Sequence, residues 1–555
     1  MKPIEIITSL LALTSLLAVV ARKIKISYPI LLVLVGLGIG FVPGLPAVAL
    51  EPDVVFLVFL PPLLYGAAWT INNANLKRYW RAVGLLAIGL VLFTSTLVAL
   101  FFAALIPGFS IAQGFLLGAI IAPPDAVAAA SVMRGLGIPK RVSTILEGES
   151  LVNDATSLVL YRFALGAVLT GQFSLVNASW QFVWSGASSV ALGFAVGWLM
   201  QYVHRSLRHD ATTNTAVTLL IPYGVYLLAE HLALSGVLAV VTTGLFLSWR
   251  DNVIFSDQTR VQAYVVWDVV VFLLNGLVFI LIGLQLPHIL SGLNTIGLGQ
   301  ALVYAAVLSL IIIVGRILWV FPGTYLPRIL NTKIRRSEPR PPWQEVAIIG
   351  WAGMRGVVSL AAALALPETV PGRDLILFLT FGGILVTLVV QGLSLPKLIS
   401  WLGVRDGADE HEQERDLRRK LAYKAIAHLE ENHAIGSLPD AALAQLKNSF
   451  ELKIDHLNGR VRADLPGEAP TGLYEQVVRV QLELIEAERM VIDEHRREGE
   501  LSDELLRKLE NELDYEAVRL TSTLPTISAA LFPEEQPMSS WLSRLKRYTG
   551  RPVTP

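Results

Sequence analysis

Thirteen apolar runs, each close to the roughly 20 residues that a helix needs to cross a bilayer, constrain this chain more than any other feature. They fall near 3–21, 27–44, 53–71, 82–106, 112–133, 147–170, 180–203, 213–231, 233–249, 262–286, 298–327, 343–366 and 374–401. In lipid, backbone polar groups must be satisfied within the segment or in a closed barrel, and runs of this length read as helices. The expected fold is therefore an all-α polytopic membrane protein with about 13 transmembrane helices. The N-terminal run is followed at once by Arg22, Lys23 and Lys25, a stop-transfer flank rather than a cleavage context, so it counts as the first span.

The loops test that count, because Lys and Arg accumulate on the cytoplasmic side. Basic residues follow the odd-numbered spans, with Lys77, Arg78 and Arg81 after the third, Arg134, Lys140 and Arg141 after the fifth, and Arg328 to Arg340 after the eleventh. The even-numbered loops are nearly bare, with Arg373 the exception. This alternation predicts an external N-terminus and a cytoplasmic C-terminus. The short gap at Leu232 is the least marked boundary.

Composition changes near Val404. Residues 1–404 hold 24 Lys+Arg against 16 Asp+Glu, whereas 405–555 hold 21 against 29, so a zero net charge conceals a basic half and an acidic half. Two domains are expected, a transmembrane domain over 1–404 and a cytoplasmic helical, regulatory domain over 405–555. In the second, apolar positions recur at helical spacing in 412–434, 438–457, 472–498 and 501–520. The stretch from Trp541 to Arg551 is basic with an aromatic and fits a membrane-surface segment or a disordered tail. There is no cysteine, so disulfides and thiolate metal sites are excluded.

Two spans are interrupted. The fifth contains Ala122-Pro123-Pro124-Asp125-Ala126-Val127, where two prolines remove backbone donors. The twelfth contains Gly350-Trp-Ala-Gly353-Met-Arg355-Gly356-Val-Val-Ser359. Broken helices in corresponding places of two halves are a sequence pointer to a transport site. The interior acids are Asp125, Glu147, Glu149, Asp154 and Asp268, and the in-span bases are Arg162, Arg316 and Arg355. A carboxylate at the bilayer centre costs roughly 3 kcal/mol or more and usually faces a cavity or ion path.

A division of labour follows from the breaks. Half-helix N-termini carry partial positive charge and C-termini partial negative charge, so Asp125 suits the first and Arg355 the second. Arg355 could instead pair with Glu149. Asp154, with Ser150 and Asn153, then offers oxygen donors to a small monovalent cation. Desolvation favours the neutral form of a carboxylate, and a carboxylate that holds either a proton or a cation, never both, is by itself an exchange mechanism.

At these residues the chain resembles the monovalent cation:proton antiporter-1 family, the sodium/proton exchangers, in its long bacterial branch. The resemblance rests on Leu60-Pro-Pro-Leu-Leu-Tyr65, Pro123-Pro-Asp125-Ala-Val, Glu147-Gly-Glu-Ser-Leu-Val-Asn-Asp154, Asn275-Gly-Leu-Val-Phe-Ile-Leu-Ile-Gly283, Gly315-Arg316 and Gly353-Met-Arg-Gly-Val-Val-Ser359. It implies that Asp154 is the transport carboxylate, that Asp125 and Ser150 line the cation site with it, that Asn153 orients it, and that Glu149 pairs with Arg355. It also implies inverted repeats, a mobile core, a homodimer and elevator-like alternating access in a bacterial inner membrane. Asn-Asp at 153–154 implies electroneutral exchange.

One departure stands out: some relatives carry a glutamate after the two prolines of the third span, where this chain has Tyr65-Gly66-Ala67. The expected function is antiport of sodium, extending to lithium, against protons, serving pH homeostasis, with potassium/proton or broad monovalent antiport as the near alternative and a channel or sensor as the distant one. Its partners are monovalent cations, protons, membrane lipid and a second copy of the chain. No cofactor, catalytic residue or nucleic-acid motif is called for. Asp268 and Asn275, seven apart on one helix, are left outside the site. His204, His209, His231 and His288 sit at span ends, where interfacial solvation is expected.

Overall fold

The computed structural model describes residues 3–24, 26–43, 55–71, 73–171, 175–293, 297–338, 340–404, 408–433, 440–458 and parts of 478–520. The chain divides into two compact units, Met1–Asp406 and Gly407–Pro555. Among the described residues both are helical, and non-helical pairing is confined to one antiparallel bridge between Pro124 and Arg355.

The first unit runs through α1 (Pro3–Ile24), α2 (Tyr28–Gly40), α3 (Leu60–Thr70), α4 (Asn73–Gly84), α5 (Val91–Leu105), α6 (Ile111–Ile121), α7 (Ala126–Met133), α8 (Lys140–Thr170), α9 (Leu175–Ser206), α10 (Ala211–His231), α11 (Gly236–Trp249), α12 (Asp257–Leu284), α13 (Leu298–Leu330), α14 (Trp343–Trp351), α15 (Val357–Leu364), α16 (Arg373–Val386) and α17 (Gly392–Leu402). Among the described residues each apolar run read from the sequence is mainly helical, with the fifth and twelfth interrupted at 122–125 and 352–356. By length and composition, six helices or unbroken helical stretches among the described residues can cross a membrane, over 5–24, 75–105, 183–206, 257–292, 298–330 and 373–402.

Local chemistry sets the ends. Ser110 and Gln113 form a reciprocal capping box at the start of α6, with Gln113 N–H to Ser110 Oγ at 3.2 Å and Ser110 N–H to Gln113 Oε1 at 2.7 Å. At the boundary near Leu232, α10 ends at His231, Ala233 turns with φ +55°, and the Ser235 hydroxyl caps α11. Helix packing relies on close approach, the usual means of association where lipid removes the hydrophobic drive. A methyl at Gly36 of α2 would strike the Ile280 carbonyl of α12, and one at Gly40 would meet Pro287 at 3.1 Å, whereas Gly38 faces open space.

Two apolar clusters form. The larger draws on α1, α2, α6, α7 and α12 to α17, the smaller on α3, α10 and α11. The helix α8 contributes to both, with Ile145 and Tyr161 in the first and Leu151 and Ala155 in the second. The Glu-Ser-Leu-Val-Asn-Asp stretch therefore lies where the two clusters meet.

In the second unit, α18 (Ala408–His433) and α19 (Asp440–Asn458) pair antiparallel through Lys447 with Glu430 at 2.5 Å and Arg419 with Asn458 at 3.1 Å. The stretch from Trp541 to Arg551, and much of 472–498 and 501–520, lie outside the described residues.

Candidate functional site

Breaking a helix inside a membrane frees amides and carbonyls that lipid cannot satisfy, so partners must be supplied on the spot. In the first broken span, α6 and α7 are joined by the non-helical residues 122–125; in the second, α14 and α15 are joined by 352–356. The two joining segments cross. The Asp125 N–H donates to the Met354 carbonyl at 2.7 Å within the Pro124–Arg355 bridge.

The two half-helix ends of the first break meet opposite charge. Asp125 caps α7, its Oδ1 accepting from the N–H groups of Val127 at 2.8 Å and Ala128 at 3.2 Å. Arg355 Nη1 donates to the carbonyl of Ala122, the residue at the C-cap of α6, at 2.7 Å. This is the first of the two arrangements considered for Arg355. Its N–H donates to Thr387 Oγ1 at 3.1 Å, where a widened π turn, Thr387–Gln391, interrupts the last span; such turns often mark functional positions. A Cβ at Gly356 would overlap the Asp125 carboxylate, so glycine is what lets the two breaks cross this closely.

The site helix α8 adds the rest. Ser150 Oγ accepts from the Ala126 N–H at 3.5 Å, and Ser157 Oγ donates to the Ala119 carbonyl at 2.5 Å, so one face of α8 lies along the first break. Asp154, one turn beyond Ser150, is 6% exposed and close enough to Asp125 for the carboxylates to interact electrostatically. It makes no hydrogen bond or ion pair with the described residues. Asn153 is fully buried, and both its amide atoms lack a partner among the described residues. Asp154, Asp125 and Ser150 thus come together as oxygen donors suited to a hard monovalent cation, with Asn153 the neighbouring amide.

Glu149 corrects the sequence reading. It is paired not with Arg355 but with Arg316, at 2.5 and 2.8 Å, both residues buried. Arg316 Nε also donates to the Ile349 carbonyl at 3.1 Å, so one guanidinium joins α13, α8 and the end of α14. Arg355 is held elsewhere by the Ala122 carbonyl. Sequence placed Arg316 inside a span but could not say which helix it would face.

Other expectations resolve as follows. Tyr65, where some relatives carry a glutamate nearby, is buried between Trp69 and Trp267, with ring centroids at 5.8 and 5.1 Å. Asp268 is exposed while Asn275 is buried, so the two do not share an environment. His204 is not solvated as expected: it is buried, with Nδ1 on Asn214 Oδ1, and Asn214 Nδ2 donates to its carbonyl at 3.1 Å.

The sequence profile of the transmembrane part of sodium/hydrogen exchangers matches residues 8–401. The chain belongs to the sodium/hydrogen exchanger family. It is a family of ion antiporters, not of enzymes, which agrees with a site built from buried carboxylates in crossed broken helices. This exchanger is 34% identical to the Na+/H+ antiporter ApNhaP of Aphanothece halophytica over 79% of this chain and 81% of that one. It is 29% identical to a sodium, potassium, lithium and rubidium/H+ antiporter of Bacillus pumilus over 88% of this chain and 74% of that one. Its fold is similar to the solved sodium proton antiporter MjNhaP1 of Methanocaldococcus jannaschii, with a TM-score of 0.58 and 22% identity over 72% of this chain and 98% of that one.

Proposed function

We propose that this exchanger is a secondary active antiporter that exchanges sodium, and also lithium, for protons, one cation for one proton. The observation that carries the reading is Asp154, a buried carboxylate without an ion-pair partner among the described residues, beside two crossed helix breaks of which the first has its helix ends matched by Asp125 and Arg355. A proton and a cation compete for it, and alternating access exposes the carboxylate to each side in turn. Asn153 adds no charge beside it, which supports an electroneutral cycle.

The surrounding architecture is part of the same proposal: thirteen spans with inverted repeats, a mobile core carrying the crossed breaks, a homodimer in the bacterial cell membrane and a role in pH homeostasis. The odd-loop bias of Lys and Arg supports an external N-terminus and a cytoplasmic, regulatory second unit. A broader specificity that includes potassium is the second reading, favoured by the name of the Bacillus pumilus relative.

Dequenching of a pH-sensitive dye in everted vesicles tests the proposal, with sodium, lithium and potassium added in turn. Sodium and lithium responses above that of potassium support it; an equal potassium response selects the broader reading, and silence with every ion refutes both. In proteoliposomes, a rate that follows an imposed membrane potential would contradict the one-for-one cycle.

A further inference from the structure

The helix that holds Asp154 carries another carboxylate that the site does not use. Glu147 is exposed although residues 144–146 and 148–149 around it are buried, and it makes no ion pair or hydrogen bond with the described residues. At about 100° per residue, Glu147, Ser150 and Asp154 fall within about 60° of arc on α8, so they share one face. Ser150 lies against Ala126, and Asp125, Ala126 and Val127 are themselves partly exposed. Exposure therefore falls from Glu147 past Ser150 and the break to Asp154.

The two approaches to Asp154 along α8 differ in charge. Glu147 lies two turns in from Lys140 and Arg141, on the side of the basic loops. Beyond Asp154 the same helix carries Arg162, which is matched by Glu230 of α10 at 2.9 and 3.2 Å on the wall of a cavity of about 1080 Å³. At that end the carboxylate is paired; Glu147, roughly 10 Å along the helix from the transport carboxylate, is a carboxylate with no ion-pair partner of its own among the described residues.

We propose that Glu147 is a cation-recruiting residue of the cytoplasmic approach. It raises the local concentration of monovalent cation at the mouth and lowers KM on that side, without entering the exchange step. A fixed charge at such a distance, partly screened by water and salt, acts on encounter rather than on turnover. The proposal rests on the antiporter reading above.

The test compares wild type, Glu147→Gln and Glu147→Asp in everted vesicles, where added sodium meets the cytoplasmic face. At low ionic strength the glutamine variant is expected to raise the sodium KM about threefold with an unchanged maximal rate. The difference fades when choline chloride raises ionic strength, and the aspartate variant stays near wild type. In right-side-out vesicles the external KM is unchanged. A wild-type KM in Glu147→Gln, or a lower maximal rate at unchanged KM, overturns the recruiting role while leaving the antiporter reading intact. Absence of exchange in wild type overturns both.

Discussion

Arg316 and Glu149 close a two-pronged ion pair at 2.5 and 2.8 Å in which neither side chain is exposed by more than 1%. Because Arg316 also holds the Ile349 carbonyl, the pair fixes α8 beside the second break and so sets where Asp154 sits. A Cβ at Gly353 would run into the Arg316 side chain, which explains the glycine that precedes Met354 and Arg355.

Removing one member of this pair leaves a buried charge alone. Arg316→Gln or Glu149→Gln is therefore expected to lower stability by roughly 3–5 kcal/mol, read as loss of monodisperse protein on heating in detergent. The double variant should be less damaged than the sum of the two. Arg316→Lys should rescue poorly, since an ammonium cannot reproduce the fork. Equal damage from Glu149→Gln and Arg355→Gln, with Arg316→Gln benign, would restore the pairing first expected from sequence.

The crossing makes a sharper forecast for glycine. Gly356→Ala places a methyl on the Asp125 carboxylate and should abolish exchange, whereas Gly38→Ala, with nothing within 4 Å, should leave exchange and yield near wild type. Exchange rates in vesicles at matched protein amounts decide the comparison.

Asp125 caps α7 through two amide hydrogen bonds. Asp125→Asn retains an acceptor oxygen and should keep the fold while weakening cation binding. Asp125→Ala should add a stability loss of about 1–2 kcal/mol. Thermal unfolding in detergent separates the two effects.

Much of this was legible before the fold was known. Prolines at 123–124 and glycines at 350–356 marked the breaks, and the helix-end charges assigned Asp125 to the first, while Arg355 stood between a helix end and Glu149. Ser150 and Asp154, four apart, had to share a face. What sequence could not reveal was which helices cross. Arg316 lies 167 residues from Glu149, and nothing local distinguishes it from Arg355 as a partner. His204 shows the same limit: a span-end position suggested water, but the turn at 207–210 folds Asn214 back onto it. Tyr65 is similar, since its burial between two tryptophans is set by α12.

Competition at one carboxylate has a pH signature. If proton and sodium exclude each other at Asp154, the apparent sodium KM should rise about tenfold for each unit of pH below the apparent pKa of the site, while the maximal rate at saturating sodium holds. A maximal rate that falls with pH at constant KM would place the proton elsewhere.

Exchange through Asp154 is tested by sodium-driven proton movement in proteoliposomes holding equal amounts of folded wild type and Asp154→Asn. Robust exchange is expected of the wild type, with its KM following pH as above, and none of the variant with sodium, lithium or potassium. Residual exchange by Asp154→Asn, with the same pH-dependent KM, would contradict it and move the shared site to another residue.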